Sequence, residues 1–382
     1  MHRKKLLFIG GGDLCLQVLK MLAPRDAFIF YIAGRDLEHL TRTCNHFRQG
    51  CLQLGGTCTI QPVLMDLGPG NTERNAEIIY RIRPDIIFNS ASFHSWRTIT
   101  ELSTDSYHSL ESARFGPWLP MQLAPAYELM RAVKHCAVRA VTVNAAYPDA
   151  VNVVLDKVGL APETGVGGVA NLIPAVRLSI ARLARRAPEY VQVKMIAQQE
   201  FSHRVALAGL PKVANYCLRY WVDGLDCSGS FDDEAIFSSL CTHHRSLDGA
   251  NVNFFNAISA VRLLENLFAD DEIITHVPGP GGLPGGYPVR VGMGRVLLAL
   301  PHGVSRAEAI AVNQKGQCQD GIHAIHADGS VTFEPEQMSV MEAQLGFSMS
   351  GMKLADVHLC AAELGRKYAA FTRSMGLKHA AH

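Results

Sequence analysis

The chain lacks a surplus of charge of either sign: 36 Lys and Arg stand against 35 Asp and Glu, a net charge of +1. Binding nucleic acid without sequence preference needs a basic field, so nucleic acid is not an expected partner. No apolar run approaches the ~18 residues of a membrane span, so no membrane partner is expected either. The opening MHRKKLLFIGGG is basic and then apolar, but Leu6 to Ile9 falls far short of the ~7 to 15 apolar residues of a secretion signal. A cytoplasmic protein is expected. Ten Cys, scattered from Cys15 to Cys360, include no pair at CxxC spacing, which fits reduced and mostly buried thiols better than a disulfide framework or a structural zinc site. Cys241 lies beside His243 and His244, and His323 beside His326, but neither set supplies three convergent ligands, so no metal is expected. The patterns GxxxxGK[ST], HExxH and GxSxG are all absent. Nucleotide hydrolysis, zinc proteolysis and α/β-hydrolase chemistry therefore have no sequence support.

What is present is an ordinary globular composition, 48% hydrophobic and 19% charged over 382 residues, enough for two domains at roughly 100 to 200 residues each. The first half alternates short β-rich runs with helical stretches. Strands are expected at Lys4 to Ile9, Ala27 to Arg35, Thr59 to Leu67, Asp85 to Ser92 and Ala137 to Ala146. Helix-compatible segments at Leu37 to Leu54, Asn71 to Ile82 and Pro120 to His135 separate them. Near-continuous apolar strands joined by helices predict a parallel sheet covered on both faces, a doubly wound α/β Rossmann domain over residues 1–152. Ligands of such a sheet bind at the carboxyl ends of its strands. Residues 153–382 differ in texture: a Gly-rich turn at Gly165 to Gly168, a helix at Ile173 to Arg186, a strand at Tyr190 to Ala197 and a long helix at Val252 to Ala269. Two hairpins (Gly279 to Pro301 and Asp320 to Phe333) and a closing helix complete an α+β substrate or catalytic domain.

Gly10, Gly11 and Gly12 with Cys15 fill the dinucleotide pattern G-x-G-x-x-G/A, with Cys in the last small position. Gly10 permits the tight turn, and Gly12 lets main chain approach a pyrophosphate at a helix N-terminus, where Asp13 and Leu14 follow. The alternative is a glycine turn that merely packs. The end of the second strand reads Ala33-Gly34-Arg35-Asp36; Gly34 stands where a ribose-binding acid is expected, and the Arg35 fork suits a 2'-phosphate. NADP is therefore favoured. NAD stays open, with Asp36 as the acid one position later or Arg35 as a solvated surface residue. Asp66, at the end of the third expected strand, and Ser90 and Ala91, at the end of the fourth, complete the candidate cofactor contacts.

Several segments together resemble the lactate and malate dehydrogenase superfamily, which includes the NAD-dependent family 4 glycosidases. They are LLFIGGGDLCLQVL, DIIFNSAS with the long loop after it, VTVNAAYPDAVN, GVGGVANLIPAVRLSIARL, NFFNAISAVRLLENLF and GGYPVRVGMGRVLLALP. AGRDLEHL is also similar to the NADP-binding domains of saccharopine-dehydrogenase-type proteins. Both resemblances imply a nicotinamide-dependent oxidoreductase. The first implies an Asp and an Arg on the helix after the Gly turn, the Arg clamping a substrate carboxylate. Those slots hold Leu172 and Ala175, so turnover of lactate or malate itself is not expected; Arg177 is a candidate displaced clamp. The family His falls near His203, with Glu200 or Asn171 as the group that orients it; a structural His is the alternative. Asn144 matches the family Asn near the nicotinamide and substrate, and Tyr147 and Asp149 follow on the same turn. Asn144 as a helix cap and Tyr147 as interface packing are the alternatives. Arg97, then Arg114, in the long loop after the fourth strand, are candidates for the Arg that polarises the substrate carbonyl.

The sequence thus predicts an NAD(P)-dependent dehydrogenase or reductase acting on a carbonyl, alcohol, imine or amine carbon of a small metabolite, in a homodimer or higher homo-oligomer. The rival expectations are a net non-redox lyase or hydrolase of the family 4 glycosidase type, and a non-catalytic dinucleotide sensor.

Overall fold

The computed structural model describes residues 3–93, 99, 102, 104–247 and 252–375. In chain order the first elements are β1 (Lys4–Ile9), α1 (Asp13–Leu22), β2 (Phe28–Gly34), α2 (Leu37–Gln53), β3 (Thr59–Leu64), α3 (Thr72–Ile82) and β4 (Ile86–Asn89). They continue with α4 (Thr104–Glu111), α5 (Leu119–Cys136), β5 (Val141–Asn144), α6 (Pro148–Lys157) and β6 (Thr164–Gly165). The six strands form a parallel sheet in the order β3-β2-β1-β4-β5-β6, the doubly wound topology the alternation predicts. Its centre is β1, where successive residues point to opposite faces and both faces are covered. Phe8 packs on Phe30 and Phe88 on one face, while Leu7 and Ile9 join Ile79 and Leu129 on the other.

The remaining elements are α7 (Val169–Ala184), β7 (Val191–Ala197), α8 (Gln199–Ala208), β8 (Tyr216–Val222), β9 (Leu225–Asp226), α9 (Asp233–His243), α10 (Val252–Asn266) and β10 (Ile273–Pro278). Then come β11 (Gly286–Gly292), β12 (Arg295–Leu298), α11 (Arg306–Gln319), β13 (Ile322–Ile325), β14 (Val331–Phe333), α12 (Pro335–Leu345), β15 (Gly351–Met352) and α13 (Val357–Ser374). A second, antiparallel sheet runs β10-β11-β7-β8-β9 with β12 on β11, and β13-β14-β15 form a small third sheet. The architecture is α/β, a doubly wound sheet followed by α+β elements. Among the described residues no helix is long and apolar enough to cross a membrane.

Several features differ from expectation for local reasons. β6 is a two-residue strand inside what reads as a glycine turn, yet it pairs with β5 and extends the parallel sheet beyond residue 152. The expected division at 152/153 falls inside α6. The stretch around His203, to which the sequence assigns no element, is the helix α8, started by Gln198, whose side chain accepts from the Glu200 N–H. The helix α11 has no apolar stripe to announce it; a capping box starts it, with Ser305 accepting from Glu308 N and the Glu308 carboxylate from Ser305 N.

The glycine turn after β1 is set by close approach. Gly10 sits at φ +94°, and a Cβ there would lie 3.0 Å from the Ala91 nitrogen at the end of β4. Gly12 differs: φ is −77° and a Cβ would meet nothing within 4 Å. Gly10→Ala is therefore expected to cost about 2 kcal/mol in urea denaturation, and Gly12→Ala less than about 0.5; equal losses would contradict this division of labour.

Candidate functional site

The carboxyl ends of β1, β2, β3, β4, β5 and β6 lie along one edge of the parallel sheet, and most of the sequence-predicted site residues lie there. At β1, Gly12 is the N-cap of α1 and provides no side-chain cap; it is exposed, and among the described residues a Cβ there would meet nothing within 4 Å. An open glycine at a helix N-terminus fits a diphosphate, because free main-chain N–H groups and the helix dipole both favour an anion. Asp13, in the first turn, is held by Asn253 of α10, whose Nδ2 donates to it at 2.8 Å. Leu14 is partly buried against the core of the parallel sheet, and Cys15 lies fully inside it. Gly11 is tighter than Gly12: a Cβ there would press on the Leu40 side chain at 2.8 Å.

At β2, Gly34 packs beside Leu40, and Arg35 is exposed. Asp36 caps α2, accepting from the His39 N–H at 2.9 Å, so its carboxylate is committed to the helix. At β3, Asp66 organises its own turn, accepting from Gly68 N and Asn71 Nδ2. At β4, the Ser90 hydroxyl donates to the Ile9 and Gly10 carbonyls, and Ala91 lies against Gly10; both border the glycine turn.

At β5, Asn144 is fully buried, and internal bonds use its whole amide. Its Oδ1 accepts from Asn89 Nδ2 and Ala146 N, and its Nδ2 donates to the Ala146 carbonyl and to Asn152 Oδ1. The alternative reading, a cap on the next helix, is not what it makes. Asn144 instead locks β4, β5 and α6 together, with Asn152 passing the network on to the Gly279 carbonyl.

Tyr147 follows in a left-handed conformation, φ 46° and ψ 56°, which a bulky side chain rarely adopts. Its hydroxyl donates to Asp320 Oδ2 at 2.5 Å, and Gln198 Nε2 donates to the same oxygen at 3.0 Å. Phe115 N donates to the other carboxylate oxygen at 3.2 Å. Asp320 thus ties together three segments that are far apart in sequence. Burial pushes its carboxyl up to about 7, against the lowering effect of the Tyr147 and Gln198 bonds, and burial with the Asp320 charge pushes the Tyr147 hydroxyl well above its ordinary range.

The Phe115 ring packs on both Tyr147 and His203. His203 lies on α8 with Nε2 3.4 Å from Glu111 Oε1, close enough for an ion pair but not aligned as a hydrogen bond. Contact with His203 is the main cause that lowers the Glu111 carboxyl, and Arg114 adds to it from 3.0 Å. The expected orienting groups are engaged elsewhere: Glu200 pairs with Arg204, and Asn171 donates to Asn256. Glu111, at the end of α4, is the carboxylate that stands beside His203. Arg177 donates to the Pro188 carbonyl at 2.6 Å and so pins a neighbouring turn, while Leu172 is core. Arg97 lies outside the described residues.

Asp149 completes the cluster. Its Oδ1 accepts from Gln199 N at 2.9 Å, and its buried Oδ2 has no partner among the described residues. Burial pushes its carboxyl up to about 7, opposed by main-chain N–H groups. The sequence reading passed over Glu111, Gln198 and Asp320. Asp320 reads as the start of a hairpin 173 positions from Tyr147, and no short-range pattern joins the two. The Cys241 thiol donates to the Val205 carbonyl, and among the described residues no group of three metal-binding side chains forms.

Comparison of three-dimensional structures finds this architecture in known enzymes. Lactate dehydrogenase from Cryptosporidium parvum is 14% identical with a TM-score of 0.56, covering 84% of this chain and 98% of its own. Lactate dehydrogenase from Eimeria maxima, solved with NADH and oxamate, is 13% identical with a TM-score of 0.55, covering 83% and 91%. Malate dehydrogenase from Aeropyrum pernix is 13% identical with a TM-score of 0.53, covering 82% and 97%. No protein-family model matches the chain, and no curated protein sequence does. At such identities the likeness is one of fold, and the chain has the lactate and malate dehydrogenase fold.

Asp320 gives this site a pH signature. An unfolded Asp titrates near 3.9, and the buried one near 7, so the folded state binds more protons in between and stability falls as pH rises across that window. Asp320→Asn lacks this proton. Between pH 5 and pH 8 the wild-type protein is expected to lose about 2–3 kcal/mol more than the variant in urea denaturation; equal losses would show that Asp320 is already ionised at pH 5.

Proposed function

We propose that the protein is a nicotinamide-dinucleotide-dependent oxidoreductase acting on a carbonyl, alcohol or imine carbon of a small metabolite, with NADP preferred to NAD. The observation that carries this reading is the open main-chain hollow at Gly12, at the sheet edge where β1 feeds α1. A lactate dehydrogenase of the same fold was solved with NADH and oxamate, and a malate dehydrogenase from Plasmodium falciparum in complex with NADH. The main chain of Gly10, Gly11, Gly12, Asp13 and Leu14 would hold the diphosphate. Gly34 and Arg35 would meet the adenosine ribose, with Asp66 beyond them and Ser90 and Ala91 towards the nicotinamide. The commitment of Asp36 to α2 and the exposure of Arg35 favour the 2'-phosphate. When bound, the nicotinamide supplies or accepts the hydride.

The remaining work falls to side chains. His203 is the group that gives or takes the accompanying proton, since its ring is held between the Glu111 carboxylate and the Phe115 face. Glu111 orients the ring, and Arg114 steadies Glu111. Tyr147, fixed by Asp320, walls the site together with Phe115 and keeps water from it. No cation stands at Leu172 or Ala175 to clamp a 2-oxo acid, which supports a substrate other than lactate or malate. A homo-oligomer agrees with the exposed Phe254 and Ile258 on α10.

The test is oxidation of NADPH by the purified protein across aldehydes, ketones, 2-oxo acids and amine-plus-oxo-acid mixtures. His203→Asn and Glu111→Gln should each lower kcat by about 10²-fold or more. Arg35→Ala should raise KM for NADPH about tenfold and leave KM for NADH within about twofold. Full activity in the His203 variant would remove the assigned proton donor. A parent protein that binds NADPH but oxidises it with no substrate would favour the dinucleotide sensor.

A further inference from the structure

Helices α6, α7 and α8 begin at Pro148, Val169 and Gln199, just past the ends of β5, β6 and β7, and all three starts reach one carboxylate. Asp149 stands in the first turn of α6. Its Oδ1 accepts from the Gln199 N–H that opens α8, at 2.9 Å. Its Oδ2 faces Gly168, the N-cap of α7; a Cβ on that glycine would lie 3.3 Å from the oxygen. Gly168 provides no side-chain cap to α7. Asp149 has no exposed surface, and among the described residues its Oδ2 accepts no hydrogen bond and no cation acts on its carboxyl.

Burying a carboxylate without a cation costs several kcal/mol in general. Burial holds this carboxyl up at about 7, so the cost is only partly offset; the main-chain N–H groups of Gln199 and Asp149, at two of these helix starts, supply that part. Such a convergence is where a ligand's anionic group would otherwise settle. In this chain the place is taken from within. A carboxylate arriving with a ligand would meet another carboxyl, charged above about pH 7, and find the Gln199 N–H already used. The group left over is the buried Oδ2, and when the carboxyl is ionised a buried acceptor without a partner calls for a donor.

We infer that Asp149 is an internal carboxylate lodged where three helix N-termini meet, and that the substrate presents an N–H or O–H donor to its Oδ2 in place of a carboxylate. The word substrate rests on the oxidoreductase reading above; the lodged carboxylate and its donor preference do not. Asp149 would then set substrate class, selecting amino or hydroxyl compounds and rejecting small carboxylates.

The test uses methylammonium and acetate as probes, observed by saturation-transfer NMR on the full-length protein without dinucleotide. Methylammonium should contact the wild-type protein, with affinity at least about tenfold weaker in Asp149→Asn, and acetate should show no contact. Thermal melts supply the second arm. Asp149→Ala should lose melting temperature and regain at least about half of the loss in sodium formate, which refills the emptied place, with sodium chloride at equal ionic strength inert. Acetate contact on the wild type, methylammonium contact independent of Asp149, or formate no better than chloride would overturn the inference. If Asp149→Ala does not fold, the Asp149→Asn comparison decides alone. Methylammonium bound through Asp149 in a protein that binds no dinucleotide would end the oxidoreductase reading and keep this one. NADPH turnover in a protein that takes acetate at Asp149 would do the reverse.

Discussion

Parallel pairing is the constraint on which the rest depends. Six strands that all run one way deliver their carboxyl ends to one edge, and the helices that follow them start there. Every such start brings unpaired N–H groups and partial positive charge to the same rim. The chain meets these starts in different ways. At α2 the Asp36 side chain caps the helix, and at α1 and α3 no side chain among the described residues does. The start at Gly12 is exposed, and the proposed dinucleotide site rests on it.

The polar groups buried along this rim hold the geometry. Asn144 spends its whole amide on joining β4, β5 and α6, and Asp320 ties Tyr147, Gln198 and Phe115 into one cluster. Satisfied networks of this kind give a single arrangement, and removing one member leaves the others buried and unpaired. The left-handed conformation at Tyr147 is part of the same device, since strain persists only where surrounding contacts over-determine it. The site is therefore stiff where the side chains cluster and open where the glycines are.

The sheet was legible because its strands are unusual stretches of sequence. LLFI, FIFYIA, DIIFN and VTVN are apolar on both faces, and glycines or polar turns end them. β6 was not legible, because two residues flanked by glycine carry no period. α11 was hidden because its signal lies in the Ser305 and Glu308 box and not in a hydrophobic stripe. The sequence puts the glycine turn, Ser90, Asn144, Tyr147 and Asp149 next to strand ends, and the structure has them there. The contacts of Glu111 and Asp320 were not legible, because these residues reach their partners across the fold. His203 could be named from its position, but its Glu111 partner could not, since the contact joins the long loop to α8.

The account is tested most directly by isothermal titration of NADPH and NADH into the wild-type protein and Gly12→Val. A valine fits the Gly12 backbone but fills the space above it, so its melting temperature should match the parent. The wild type should release heat with both nucleotides and bind NADPH more tightly, and the variant should bind neither. Heat from neither nucleotide in the wild type, or unchanged binding in the variant, would contradict the claim that this hollow holds a diphosphate.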